Sequence, residues 1–168
     1  MKHKSKNFVF FSILFCIFAL IIFFGYTIYD SSKVKLAKRV LCSANLASLG
    51  RAIAIYQMDN KQMPPDLEIL ISKNLINPEY LVCPVTDDEI GDISYIYRGY
   101  DLPVDAPEDM LVAYDKKDNH IHKNVELYRN VLFANWSVRR IEEKEFAALI
   151  DRDNELRREL GLVEKPAK

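Results

Sequence analysis

The sequence has few of the features on which enzymes and nucleic-acid-binding proteins depend. Its formal net charge is −1, from 23 Lys and Arg against 24 Asp and Glu, so we expect no basic surface and no nucleic-acid partner. It has only five glycines, and it has no glycine-rich phosphate loop, no G-x-S-x-G serine motif and no H-E-x-x-H zinc motif. Because no nucleophile and base stand out together, we predict a non-enzymatic protein without a cofactor.

Cysteine is also scarce, and its spacing argues against a structural zinc site. The chain has three cysteines, none of them in the close Cys or His spacing of zinc ligands. Cys16 lies in an apolar run and is most simply an apolar filler. Cys42 and Cys83 are the remaining pair, and we predict a disulfide between them if the domain is exported. The alternative, in a reducing compartment, is two free thiols.

The chain does contain one long apolar run, which spans residues 8–29 and reads FVFFSILFCIFALIIFFGYTIY. A helix of about 22 residues covers the ~30 Å hydrocarbon core of a bilayer. The run is longer than a signal-peptide core and lacks a small-x-small cleavage site. A buried helix of a soluble protein would need a larger domain to cover it. We therefore predict an uncleaved signal anchor, with residues 1–7 in the cytoplasm and the following domain on the periplasmic side of the inner membrane.

Residues 30–161 are predicted to form one α+β domain, followed by a flexible tail at 162–168. From Ser31 to Asn60, apolar residues at 3/4 spacing indicate a helix that continues out of the anchor. Period-two patterns then predict four short strands, at 94–98, 110–114, 130–134 and 137–141. Glu142 and Glu143 open a closing helix, and Gly161 ends it. Segregated helices and strands predict a long N-terminal helix packed on a small antiparallel sheet.

One loop holds the candidates for a metal site, which are Asp115, Asp118, His120 and His122. The two histidines lie two residues apart, so on an extended segment they would face the same way. Imidazole suits zinc or copper better than calcium. The alternative is a polar surface loop without a ligand. An alternative function, a membrane-tethered binding module or metal-dependent enzyme, rests on this loop.

Several motifs occur in an order that resembles a known family. Residues 42–59 read C-x-x-N-L-x-x-L-G-x-A-x-x-x-Y-x-x-D, and P-P-D-L at 64–67, Y-x-x-C-P at 80–84 and N-V-L-F-A at 130–134 follow. Together they resemble the pseudopilin-like proteins of type II secretion and type IV pili, in a variant abundant in planctomycetes. The resemblance implies a pilin fold, a structural or interaction function, and partners among other pilin-like or secretion-system subunits.

Two segments depart from that family's pattern. The segment at residues 6–12 has neither the Gly of the prepilin cleavage site nor the Glu that serves filament assembly, so we expect no processing there. The family's D-G-H hairpin is replaced by Asn135-Trp136-Ser137. Because Gly adopts positive φ at little cost and Trp does not, we expect another turn type. Trp136 is then a candidate interaction residue, unless it packs on the closing helix.

Overall fold

The computed structural model describes residues 3–86, 88–116 and 128–162, with side chains at residue 12, at 14–25 and from residue 37 onward. It divides into two compact units, Met1–Ala37 and Lys38–Lys168. The helices are α1 (His3–Asn60), α2 (Glu68–Ser72) and α3 (Glu143–Glu159), and 3₁₀ turns lie at Pro78–Leu81 and Gly99–Asp101. The strands are β1 (Tyr95–Tyr97), β2 (Leu111–Asp115), β3 (Tyr128–Phe133) and β4 (Val138–Glu142).

The four strands form one antiparallel sheet in the order β1-β2-β3-β4. Each strand pairs with its neighbour in the sequence, and α3 begins directly after β4. The prediction of an α+β domain with an antiparallel sheet and a closing helix is therefore confirmed. Most of the predicted tail lies outside the described residues.

No helix in the described part of the chain is long and apolar enough to cross a membrane. The prediction of a transmembrane signal anchor at residues 8–29 is therefore contradicted. The predicted single-pass inner-membrane location, with a periplasmic domain, is contradicted with it.

Within the Lys38–Lys168 unit, both faces of the sheet are covered. Successive side chains of a strand point to opposite faces, and β3 uses this alternation fully. Leu132 belongs to the cluster that contains Leu46, Leu49 and Ile53 of α1. Its neighbours Val131 and Phe133 belong to a second cluster, with Leu111, Tyr114 and Phe146 of α3. The sheet is therefore a middle layer, which explains why β2 is buried along its whole length.

Buried charge fixes α3 on the sheet. Asp153 accepts a hydrogen bond from the backbone N–H of Leu111 at 2.8 Å, and Arg157 donates to Asp153 at 2.8 Å. Arg157, only 2% exposed, also donates to Asp101 and to the carbonyl oxygen of Arg98. Burial acts to lower the pKa of Arg157, but the hydrogen bond and charge of Asp153 outweigh it and raise that pKa. The guanidinium therefore stays charged, and its directional bonds fix the register of α3.

α1 approaches β3 closely at Gly50. A Cβ atom at this position would lie 2.8 Å from Cδ1 of Leu132, and Leu132 is completely buried. A helix interior normally disfavours glycine by about 1 kcal/mol relative to alanine. The glycine is therefore explained by close packing between α1 and the sheet.

We expect Gly50→Leu to lower the free energy of unfolding by about 1–3 kcal/mol or more, because a side chain there overpacks the contact with Leu132. Urea unfolding followed by circular dichroism measures the change. Ala44→Leu is the matched control, since Ala44 lies on the same helix and is exposed. Equal stability of the two variants would contradict the close approach.

Candidate functional site

A cluster of buried polar side chains lies where α1 meets the sheet. We call Cys42, Tyr95, Asp115 and Asn130 the buried polar cluster; each is at most 3% exposed. Tyr95 and Asp115 are paired across β1 and β2, Asn130 comes from β3, and Cys42 comes from the face of α1 that contacts the sheet. Side chains from four separate elements thus meet in one cluster.

Both oxygens of the Asp115 carboxylate accept hydrogen bonds. Oδ2 accepts from the backbone N–H of Asn130 at 2.9 Å and from its side-chain Nδ2 at 2.8 Å. Oδ1 accepts from the thiol of Cys42 at 3.4 Å. The hydroxyl of Tyr95 donates to the carbonyl oxygen of Cys42 at 3.3 Å. Burial raises the pKa of Tyr95, so its hydroxyl stays protonated and can donate.

Cys42 and Cys83 are both completely buried and are not joined by a disulfide. The predicted bridge is therefore wrong. A side-chain hydrogen bond with Cys83, burial and the negative charge of Asp115 all raise the pKa of Cys42. Its thiol remains protonated and donates to the carboxylate. A protonated, buried thiol is a poor nucleophile, so Cys42 has a structural rather than a catalytic environment.

The structure describes only the first member of the predicted metal loop. Asp118, His120 and His122 lie outside the described residues. Asp115 is directed into the buried polar cluster, where Asn130 and Cys42 already bond to both of its oxygens. Across residues 3–86, 88–116 and 128–162, no three His, Cys, Asp or Glu side chains are grouped so that they could hold a metal ion. The metal hypothesis therefore stays a prediction for the other three residues.

Ser94, which directly precedes Tyr95 of the buried polar cluster, binds the acidic loop at residues 88–92. Its hydroxyl is buried, accepts from the backbone N–H of Cys83 at 2.9 Å and donates to Asp88 Oδ2 at 2.5 Å. The hydrogen bond from Ser94 is the main cause that lowers the pKa of Asp88, with further help from Thr86 and Lys116. The acidic loop is thus attached to the core at one end.

Trp136 adopts the conformation that glycine would take at the β3–β4 turn. Its φ is +64°. The backbone N–H of Trp136 donates to the carbonyl oxygen of Phe133 at 2.9 Å, and the backbone N–H of Phe133 donates to the carbonyl oxygen of Ser137 at 3.0 Å. The expectation that Trp would avoid positive φ is wrong, and the left-handed conformation costs about 1–2 kcal/mol. The side chain is half-buried and lines a cavity of about 60 Å³ with Gln57, Met63, Leu102, Pro103, Val104, Ala106, Val112 and Ala134. Its role as an interaction residue stays a prediction.

The first unit carries a large apolar surface. Nine large side chains between residues 14 and 24 of α1 are 50–73% exposed: Leu14, Phe15, Ile17, Phe18, Leu20, Ile21, Ile22, Phe23 and Phe24. We call residues 14–24 the apolar segment. At 3.6 residues per turn these side chains point to every side of the helix. Contiguous exposed apolar surface of this kind marks an interaction site.

Comparisons with protein-family models, with curated proteins and with solved structures found no match to this chain. The resemblance to pseudopilin-like proteins therefore rests on the sequence motifs alone.

Sequence reasoning missed most of the buried polar cluster. The sequence predicts Tyr95 and Asn130 only as strand residues and Asp115 as part of a metal loop rather than of the core. One signal was available in the pattern of β3. Asn130 precedes three consecutive apolar residues, and a polar side chain at the edge of a buried strand requires a partner.

We expect Asp115→Asn to lower the free energy of unfolding by about 1–3 kcal/mol, because the new amide places a donor against the donors of Asn130 or Cys42. Chemical unfolding measures the loss. The control is Asp109→Asn, since Asp109 pairs with Arg152 at the surface and such pairs contribute about 0–1 kcal/mol. An unchanged free energy of unfolding in Asp115→Asn would contradict the stabilising role of this carboxylate.

We expect Asp88 to make stability depend on pH in the acid range. Its pKa in the folded chain lies below the ordinary value of 3.8, so its contribution is present above that value and is lost as pH falls through the folded pKa. The difference in unfolding free energy between the unchanged protein and Asp88→Asn should be constant above about pH 5 and should shrink below about pH 4. Glu89→Gln is the neighbouring exposed control. A difference that stays constant down to the most acidic pH would contradict the assignment.

Proposed function

We propose that this chain is a non-enzymatic, pilin-like structural protein that assembles with other copies of itself through the apolar segment of α1. The observation that carries the proposal is the exposure of nine large apolar side chains around the whole helix. The motif resemblance and the arrangement of α1 against an antiparallel sheet support the pilin-like part. Related pilin-like subunits are the other partners that the resemblance implies.

The chemistry of the segment favours a bundle of helices. Burying one Phe, Leu or Ile side chain contributes about 1.5–3 kcal/mol when burial is complete. With nine such side chains partly exposed, their burial would contribute on the order of 10 kcal/mol. One partner helix covers only one side, so covering all sides requires several helices around each copy.

The rest of the described chain favours a structural role over the enzymatic alternative. Asp115 uses both oxygens to bind neighbouring elements, and the thiol of Cys42 is protonated and completely buried. Catalytic groups need access to a substrate, whereas these groups face one another inside the core. The buried polar cluster therefore serves to hold α1 on the sheet.

We expect the full chain, purified in a mild detergent, to be an oligomer of several copies. Phe18→Ser combined with Ile22→Ser should raise its dissociation constant at least about tenfold, because two apolar contacts are lost. Light scattering with the detergent mass subtracted measures the number of copies per particle.

The control variant is Val40→Ser, which removes an exposed apolar side chain of α1 outside the apolar segment. It should leave the oligomer unchanged. A single copy per particle in the unchanged protein, with detergent alone covering the segment, would refute assembly through α1.

A further inference from the structure

A groove with both apolar and polar lining lies between α1 and the segment that joins α2 to the Pro78–Leu81 turn. Its volume is about 330 Å³, which falls in the range of about 300–1,000 Å³ typical of binding sites. Ala52, Ile55 and Leu75 form its apolar part. Arg51, Asn74 and Tyr80 supply the polar groups. We call this surface the side groove.

Among the described residues, the polar side chains of the side groove make only local hydrogen bonds or none. Arg51 donates to the hydroxyl of Ser48 at 2.8 Å but has no carboxylate within ion-pair distance there. The side-chain amide of Asn74 and the hydroxyl of Tyr80 have no hydrogen-bond partner among the described residues. A cation and two polar groups beside an apolar floor fit a ligand that combines an apolar side chain with a carboxylate.

The same chain presents a matching protrusion in its acidic loop. Ile90 is 76% exposed, which is the highest value among the large apolar side chains described. Exposed carboxylates flank it at Glu89 and Asp92. Gly91 has a φ of +116°, and the N–H of Glu89 donates to the Asp92 carboxylate at 3.0 Å, so a tight turn holds these residues together. We call residues 89–92 the acidic tip.

We propose that the acidic tip of one copy docks into the side groove of a second copy. Ile90 contacts Ile55 and Leu75, and the carboxylate of Glu89 pairs with the guanidinium of Arg51. This contact deepens the proposed function, on which it rests, because it names a second surface for self-association. In this structure the tip does not dock within its own chain, since Ile90 is 76% exposed.

The contact joins two different surfaces, so it is heterologous. A heterologous contact closes into a ring only for particular rotations and otherwise adds copies without limit. Each copy in such an assembly uses its groove for one neighbour and its tip for the other. This directionality is what a linear structural assembly requires.

Mixing two variants that each gain one surface cysteine tests the contact directly. Both full chains carry Cys16→Ser, and one carries Ile90→Cys while the other carries Ile55→Cys; the buried Cys42 and Cys83 are kept. Mild oxidation of the mixture should give a heterodimer joined through positions 90 and 55. Val104→Cys, which is also exposed but lies outside the groove, replaces Ile55→Cys as the control. A heterodimer of equal yield with Val104→Cys, or none with Ile55→Cys, would overturn the proposal.

Charge reversal gives a second test without cysteines. Arg51→Glu alone and Glu89→Lys alone should each weaken association about tenfold, because each variant places like charges in one contact. Mixing the two variants should restore association, since the groove that carries Arg51→Glu meets the tip that carries Glu89→Lys, and the unchanged groove of one variant meets the unchanged tip of the other. Analytical ultracentrifugation measures the association. No recovery on mixing would refute the pairing.

The two proposals can fail separately in these experiments. If the unchanged chain forms oligomers through the apolar segment but gives neither the heterodimer nor the charge rescue, the docking proposal fails and the proposed function stands. If the Phe18→Ser and Ile22→Ser variant stays fully associated while the heterodimer forms, the apolar segment is not the assembly surface and the tip contact stands alone.

Discussion

The carboxylate of Asp115 is the interaction on which the domain depends. A buried charge is costly unless several donors surround it, and Asp115 binds the backbone and side chain of Asn130 and the thiol of Cys42. These donors come from β3 and from α1, so a single group fixes the helix relative to two strands. Apolar packing alone tolerates small shifts of a helix on a sheet. Directional hydrogen bonds to the two oxygens of one buried carboxylate do not tolerate such shifts.

The opposite face of the sheet repeats the same solution with the charges reversed. Arg157 of α3 is buried and donates to Asp153, Asp101 and backbone oxygens. Each layer is thus joined to the sheet by buried charged groups and their hydrogen-bond partners, and the apolar clusters fill the space between. This arrangement uses buried polar groups to bind elements together.

Local patterns predicted much of the fold because they depend on neighbouring residues. Period-two alternation placed all four strands within two residues of their observed bounds, and 3/4 spacing predicted a helix over residues 31–60, which α1 contains. The candidate site was harder, because it depends on contacts between distant residues. Asp115 lies 73 positions from Cys42, and no local pattern shows that they meet. The disulfide prediction failed for a related reason. It rested on a pair of cysteines and a compartment, and no local pattern shows that the thiol of Cys42 donates a hydrogen bond to Asp115.

The two proposed contacts, through the apolar segment and through the acidic tip, would reinforce each other. Once two copies are associated through one surface, the other surface acts at a raised effective concentration, so a weak contact becomes significant. The apolar segment lacks a polar face and therefore cannot set a preferred direction or register between copies. A contact between the acidic tip and the side groove would set a direction, because its two surfaces differ. It would also set a register, because its charged groups must align. Nonspecific apolar association would supply the strength of the assembly, and the charged contact would supply its order.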